Sequence, residues 1–269
     1  MTKREPAIFE ERTLDDLTID DDRSFRHIGL HQDLKEVLRR AKYRFRILPA
    51  SHRPRPDRAL LLNLTFWSAD AGGDVLVDDH VDADVVAHAA WHHLAARALS
   101  PADGERPSVQ ALFLAEAIAS AFDVYLVGRL LAQASRSTFL EAKVSAMAEA
   151  AQTAGLDEDD FERLLQGVAE DPDRAFVDLR ELLFDAATAL LACRNVEEGH
   201  AALAAFDGHR FAALLHHYEL SNWVLYARAY GDDGEAGSRA RSIDLALREE
   251  KAPLDWLEAK WVAPALGSV

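Results

Sequence analysis

From Asp82 onward, apolar residues recur every three to four positions, the spacing that lines one face of an α-helix. These alanine- and leucine-rich segments predict helices near 84–99, 109–135, 139–154, 160–169, 174–192, 196–203, 208–230 and 238–250. Upstream the pattern differs. Tyr43-Arg44-Phe45-Arg46-Ile47-Leu48 alternates apolar and basic side chains as a half-buried strand does. Two further strand candidates, 59–67 and 74–78, flank a turn at Gly72-Gly73. His31 to Ala41 reads as a short helix, and Ser51 to Pro56 as a loop. The first 24 residues are acidic and weakly periodic, the pattern of an extended arm. The expected fold class is α+β, a small N-terminal strand region packed on a predominantly α-helical domain. Its divisions are an acidic arm at 1–24, a region at 25–135 holding the candidate chemistry, and a helical region at 136–269.

Composition narrows the function classes. With 49% hydrophobic residues, a chain of 269 has ample material for a core. A net charge of -16 argues against nucleic acid and anionic membranes as general partners. The local exception is Lys35 to Arg58, where nine cations face only Glu36 and Asp57; this reads as a solvated face docked on the acidic remainder of the chain. No apolar run approaches the roughly 20 residues of a bilayer span, and Met1 to Glu5 opens no signal-peptide core, so the expectation is a cytoplasmic protein with no membrane association. Cys193 is the single cysteine. It excludes an intrachain disulfide and a thiolate zinc cluster, leaving histidine and carboxylate as metal ligands. The acidic run Leu156 to Asp160 lacks the spaced ligands and glycine of a calcium loop and reads as a helix opening.

The chemistry-bearing feature is His88-Ala89-Ala90-Trp91-His92. Residues four apart share a helix face, so both imidazoles can converge on one ion. A glutamate from a second helix, Glu116 in Ala115-Glu116-Ala117-Ile118, would complete a three-ligand site for Zn2+. In the H-E-x-x-H motif the residue after the first histidine is the general base, and here it is Ala89. His93 lies about 100° round the helix and is expected to point away from the ion, while Trp91 is expected in the core.

Strands, a histidine helix and then a glutamate helix resemble the gluzincins, the thermolysin-like zinc metallopeptidases. The likeness spans about Leu60 to Leu131 and rests on Val85-Val86-Ala87-His88 with His92, and on Glu116-Ala117-Ile118 with Phe122. It implies metal ligands at His88, His92 and Glu116, and a substrate-side edge strand near Phe66 and Trp67. Ser120 stands where the family usually has an aspartate supporting the first histidine. Ser120 and Asp123 are the candidates for bracing an imidazole from behind. None of His200, His209, His216 and His217 has the context of the family's later transition-state histidine.

With Ala89 at the base position, general acid–base catalysis worth about 10²–10⁴-fold is missing. The favoured reading is a zincin-like metal-binding protein, a diverged or inactive metallopeptidase that binds a peptide or protein ligand. Alternatives are an active metal-dependent hydrolase whose base is another group, such as Asp79, His80 or Glu219, and a peptidase in which Ala89 replaces an original glutamate. A further alternative is a metal-free helical interaction module; a metal centre from Glu181, Asp185, His209 and His216 lacks the paired Glu-x-x-His pattern of such bundles.

Overall fold

A computed structural model of the chain describes residues 9–57, 74–99, 107–133, 136–231 and 237–267. A small β region packs against a large, predominantly helical body, as the periodicity predicts. Strands β1 (Glu10–Thr13), β3 (Arg44–Ile47) and β4 (Val75–Leu76) form one sheet, and β2 (Thr18–Asp20) with β5 (His80–Asp82) forms another. β1 runs antiparallel to β3 with Glu10 opposite Ile47, β3 runs parallel to β4, and β2 parallel to β5 with Thr18 opposite His80.

Residues 10–13 and 18–20 of the acidic N-terminal segment are therefore paired into the two sheets, a correction to the expected extended arm. Its charge explains where it docks. Asp15 takes Arg39 at 3.0 Å, Glu11 takes Arg44 at 2.6 Å, and Asp22 takes the buried Lys35. Three cations of the basic run, Lys35, Arg39 and Arg44, thus meet N-terminal acids, as its charge pattern suggests. Strand candidate 59–67, with Phe66 and Trp67, lies outside the described residues.

The helical body is organised round α3 (Val109–Ala132). This helix is apolar on nearly every side and is surrounded by α2 (Ala83–Leu99), α5 (Glu158–Glu170), α6 (Pro172–Ala192), α8 (Leu220–Tyr230) and α9 (Gly237–Glu249). α1 (Gly29–Ala41) packs on α2, and α4 (Thr138–Thr153) leads from α3 into α5; α7 (Val196–Ala204) packs on α6. Ser108 caps α3 by accepting from the Ala111 N–H at 3.1 Å. Asp157 does the same for α5, so the acidic run at 157–160 is a helix start as expected. Correcting the expectation drawn from apolar runs, α3 is long and apolar enough by length and composition to cross a membrane; 89% of that window is buried inside the fold. Gly128 makes one close approach possible, since a Cβ there would lie 2.4 Å from the Val168 carbonyl oxygen.

Two stretches depart from the predicted helices. The segment expected at 208–230 splits into a 3-10 turn, Ala212–Tyr218, and α8, because Glu219 adopts φ 47°, ψ 47°, a conformation that cannot continue a right-handed helix. Beyond the last predicted helix, Pro253–Leu257 is helical and continues through a π turn, Glu258–Val262, into Ala263–Ala265. Pro264 has no N–H to give and its ring crowds the carbonyl four residues back, so the preceding turn widens.

Candidate metal centre

Two facing stripes build the site. On α2, Asp84, His88 and His92 occupy successive turns of one face; on α3, Glu116, Ser120 and Asp123 do the same. The buried Ala87, Ala89 and Ala90 let the helices approach, and Trp91 packs edge-on against Phe122 with ring centroids 5.4 Å apart. Trp91 is thus a core residue, as expected. His93 turns away from His88 and His92 and lies edge-on to Tyr43.

The ligand atoms converge. His88 Nε2 and His92 Nε2 are 3.2 Å apart, and Glu116 Oε1 lies 3.6 Å from His92 Nε2. All three ligand atoms fall within 4.8 Å of one another. Two ligands at zinc's usual bond lengths in a tetrahedral site are separated by roughly 3.3 Å. Two edges already match that spacing, and the third closes with at most about 1.5 Å of side-chain movement. The histidine side chains keep 34% and 29% exposure, so the cluster opens to solvent on one side. This His2Glu set is a zincin-like arrangement capable of holding a metal.

Behind His88 stands a carboxylate. Asp123 Oδ1 faces His88 Nδ1 at 3.8 Å, while Asp123 Oδ2 accepts from Lys143 Nζ on α4 at 2.9 Å. This leaves His88 Nε2 directed at the ion position, the usual division of labour for a metal-binding imidazole. Ser120 is buried on the same face without a hydrogen bond to either imidazole, and Asp123 is the candidate whose carboxylate faces His88 Nδ1.

The electrostatics are polarised. Burial works against a charged His88, but Asp123 and then Glu116 outweigh it and hold the imidazolium up to about 9. Burial holds His92 neutral. A protonated His88 donates to His92 Nε2 and directs its Nδ1–H at Asp123. Burial alone would raise Asp123, yet Lys143 and His88 hold it down to about 2. Asp84 goes the other way: desolvation and the negative Asp123 push it to about 6.

No family model, curated protein or solved structure matches the chain.

Sequence reading missed Lys143, Asp84 and Tyr218, and named His217 without finding it a context. Asp84 was open to detection, sitting four residues before His88 on the same stripe. Lys143 belongs to another helix and has no spacing relation to the motif. His217 and Tyr218 end the 3-10 turn packed on α4, and both feel Asp123. Burial lowers the His217 imidazole and raises the Tyr218 phenol; among the described residues the Tyr218 hydroxyl and Asp123 Oδ1 are buried with no hydrogen-bond partner.

The other sequence candidates are placed elsewhere or engaged elsewhere. His80 holds Asp20 across the β2–β5 pair, and the Asp79 carbonyl accepts from Thr18. Glu219 is exposed and accepts from Asn222. Glu181 and Asp185 are tied to Arg180 and Arg248, in a network that includes the buried Arg180–Asp244 pair. Among the described residues they form no metal-holding group with His209 and His216.

Proposed function

We propose that the chain is a diverged or inactive zincin-like metalloprotein that holds Zn2+ through His88, His92 and Glu116 and binds a peptide or protein ligand at the open side of that cluster. The observation that carries the metal assignment is the pair of ligand edges at 3.2 and 3.6 Å, backed by the Asp123 brace. A bound zinc would supply a Lewis acid and an acidified water. The chain's own contribution is orientation. Asp123, pinned by Lys143, fixes the His88 ring; Trp91 against Phe122 fixes the spacing between the helices.

Inactivity as a peptidase follows from position 89. Ala89 carries no carboxylate and is 2% exposed, packed in the core. The gluzincin resemblance, with its peptide-binding edge strand near Phe66 and Trp67, supplies the ligand class. No nucleic acid or membrane partner belongs to this reading, and the cytoplasm is its proposed location, on charge and composition.

A second reading, a hydrolase using another base, is favoured by one observation: the neutral His217 and the unpartnered Tyr218 hydroxyl adjoin the Asp123–Lys143 pair. Metal analysis of protein purified without added metal tests the assignment. One zinc per chain, lost in both His88→Ala and Glu116→Ala, is the expected result; absence of metal with intact folding would overturn it. In the zinc-loaded protein, peptidase activity that disappears in His217→Ala selects the second reading, and activity gained only in Ala89→Glu selects the first.

A further inference from the structure

A second cavity lies on the other side of α2. At 100° per residue, Leu94, Arg97 and Ala98 point away from His88 and His92. They meet α9 and the C-terminal helix across an open cleft of about 430 Å³. Trp256, Trp261 and Leu94 supply apolar walls, and Arg97, Arg239 and Lys260 supply three cations. Among the described residues no carboxylate lines it.

Several of the chain's basic side chains, among them Lys35, Arg39, Arg44, Arg210 and Arg248, are engaged by acids. Arg97, Arg239 and Lys260 have no ion pair among the described residues, in a protein of net charge -16. Three clustered cations repel one another and focus a positive potential into the cleft, which an anion relieves. The indoles add flat apolar surface suited to stacking. The π turn at Glu258–Val262 carries both Lys260 and Trp261, and such widened turns recur at functional sites. The volume is that of a small-molecule site.

We propose that this cleft binds a small organic anion, a carboxylate, sulfonate or phosphate attached to a flat apolar body, with the body against Trp256 and Trp261 and the anionic group among Arg97, Arg239 and Lys260. The probes are the dye anilinonaphthalene sulfonate and its uncharged parent phenylnaphthylamine, titrated into the full-length protein while tryptophan emission and dye emission are followed. The anionic dye is expected to saturate one site at least about tenfold more tightly than the neutral one, weakening as salt is raised. The Arg97→Gln/Arg239→Gln/Lys260→Gln variant removes exposed charges and is expected to fold normally, as judged by circular dichroism. At up to about fivefold per exposed charge, it is expected to lose about tenfold in affinity. Trp256→Phe loses part of the energy transfer to the dye. The control Arg26→Gln/Arg53→Gln/Arg163→Gln, with exposed charges removed elsewhere, binds as wild type. Equal affinity for the two dyes, no binding of either, or equal loss in both triple variants overturns the proposal.

Discussion

Lys143 Nζ donates to Asp123 Oδ2 at 2.9 Å, joining α4 to the helix that carries the glutamate ligand. Both side chains are largely buried, at 18% and 9% exposure. Removing one partner of such a pair strands the other charge, at a cost of about 3–5 kcal/mol, whereas removing both together is far cheaper. Lys143→Met is therefore expected to destabilise the protein by about 3 kcal/mol, and Lys143→Met/Asp123→Asn by less than either single change. Urea unfolding of the four proteins of the cycle measures this. Simple additivity would show that the pair is solvated and that Asp123 needs no anchor.

Asp84 gives stability a pH signature. Its folded-state value, about 6, lies above that of an unfolded aspartate, so its contribution is fully present below about pH 4 and is lost as pH rises through 6. At pH 7.5 the ionised group opposes folding. Asp84→Asn is expected to raise stability there by about 1–2 kcal/mol and to make no gain near pH 4. Thermal melts at the two pH values check it.

The proton on His88 competes with metal. Because Asp123 and Glu116 hold the imidazolium up to about 9 against its burial, a cation must displace one proton at neutral pH. Apparent zinc affinity is expected to rise about tenfold per pH unit between 6.5 and 8.5. Calorimetry in buffers of different ionisation enthalpy is expected to count about one proton released at pH 7.5. Affinity independent of pH would mean that His88 is already neutral.

Gly128 tests the helix packing that positions Glu116 and Asp123. A methyl group there would press on the Val168 carbonyl and the Pro172 ring, both fixed in the helices packed on α3. Gly128→Ala, which in an exposed helix stabilises, is expected to cost about 1–3 kcal/mol here. Denaturant midpoints decide between the two signs.

The helices were legible in the sequence where an apolar face and a cap coincide, as at Asp157, or where a long apolar run follows a cap, as at Ser108. The histidine stripe and Glu116 were legible for a related reason, since helical spacing alone puts His88 and His92 on one face. What escaped the sequence depended on contacts between distant segments. Nothing local to β1 announces a strand; its partner, β3, begins 31 residues after β1 ends and supplies the basic side chains that its acids require. Lys143 and Tyr218 reach the site from elements with no motif of their own. The turn at Glu219 was hidden because a positive φ at a glutamate has no periodic signature.

The buried Asp123 oxygen and Tyr218 hydroxyl that lack partners have a consequence for the whole molecule. An interior built for folding alone would close this layer with alkyl side chains, which lose nothing on leaving water. Instead the layer between α2 and α3 holds two imidazoles and three carboxylates, against a single ammonium. Replacing Asp84, His88, His92, Glu116 and Asp123 by aliphatic residues of similar volume would leave a sturdier protein without its chemistry. The native chain carries a standing internal tension that a bound cation, by drawing these groups inward, would discharge.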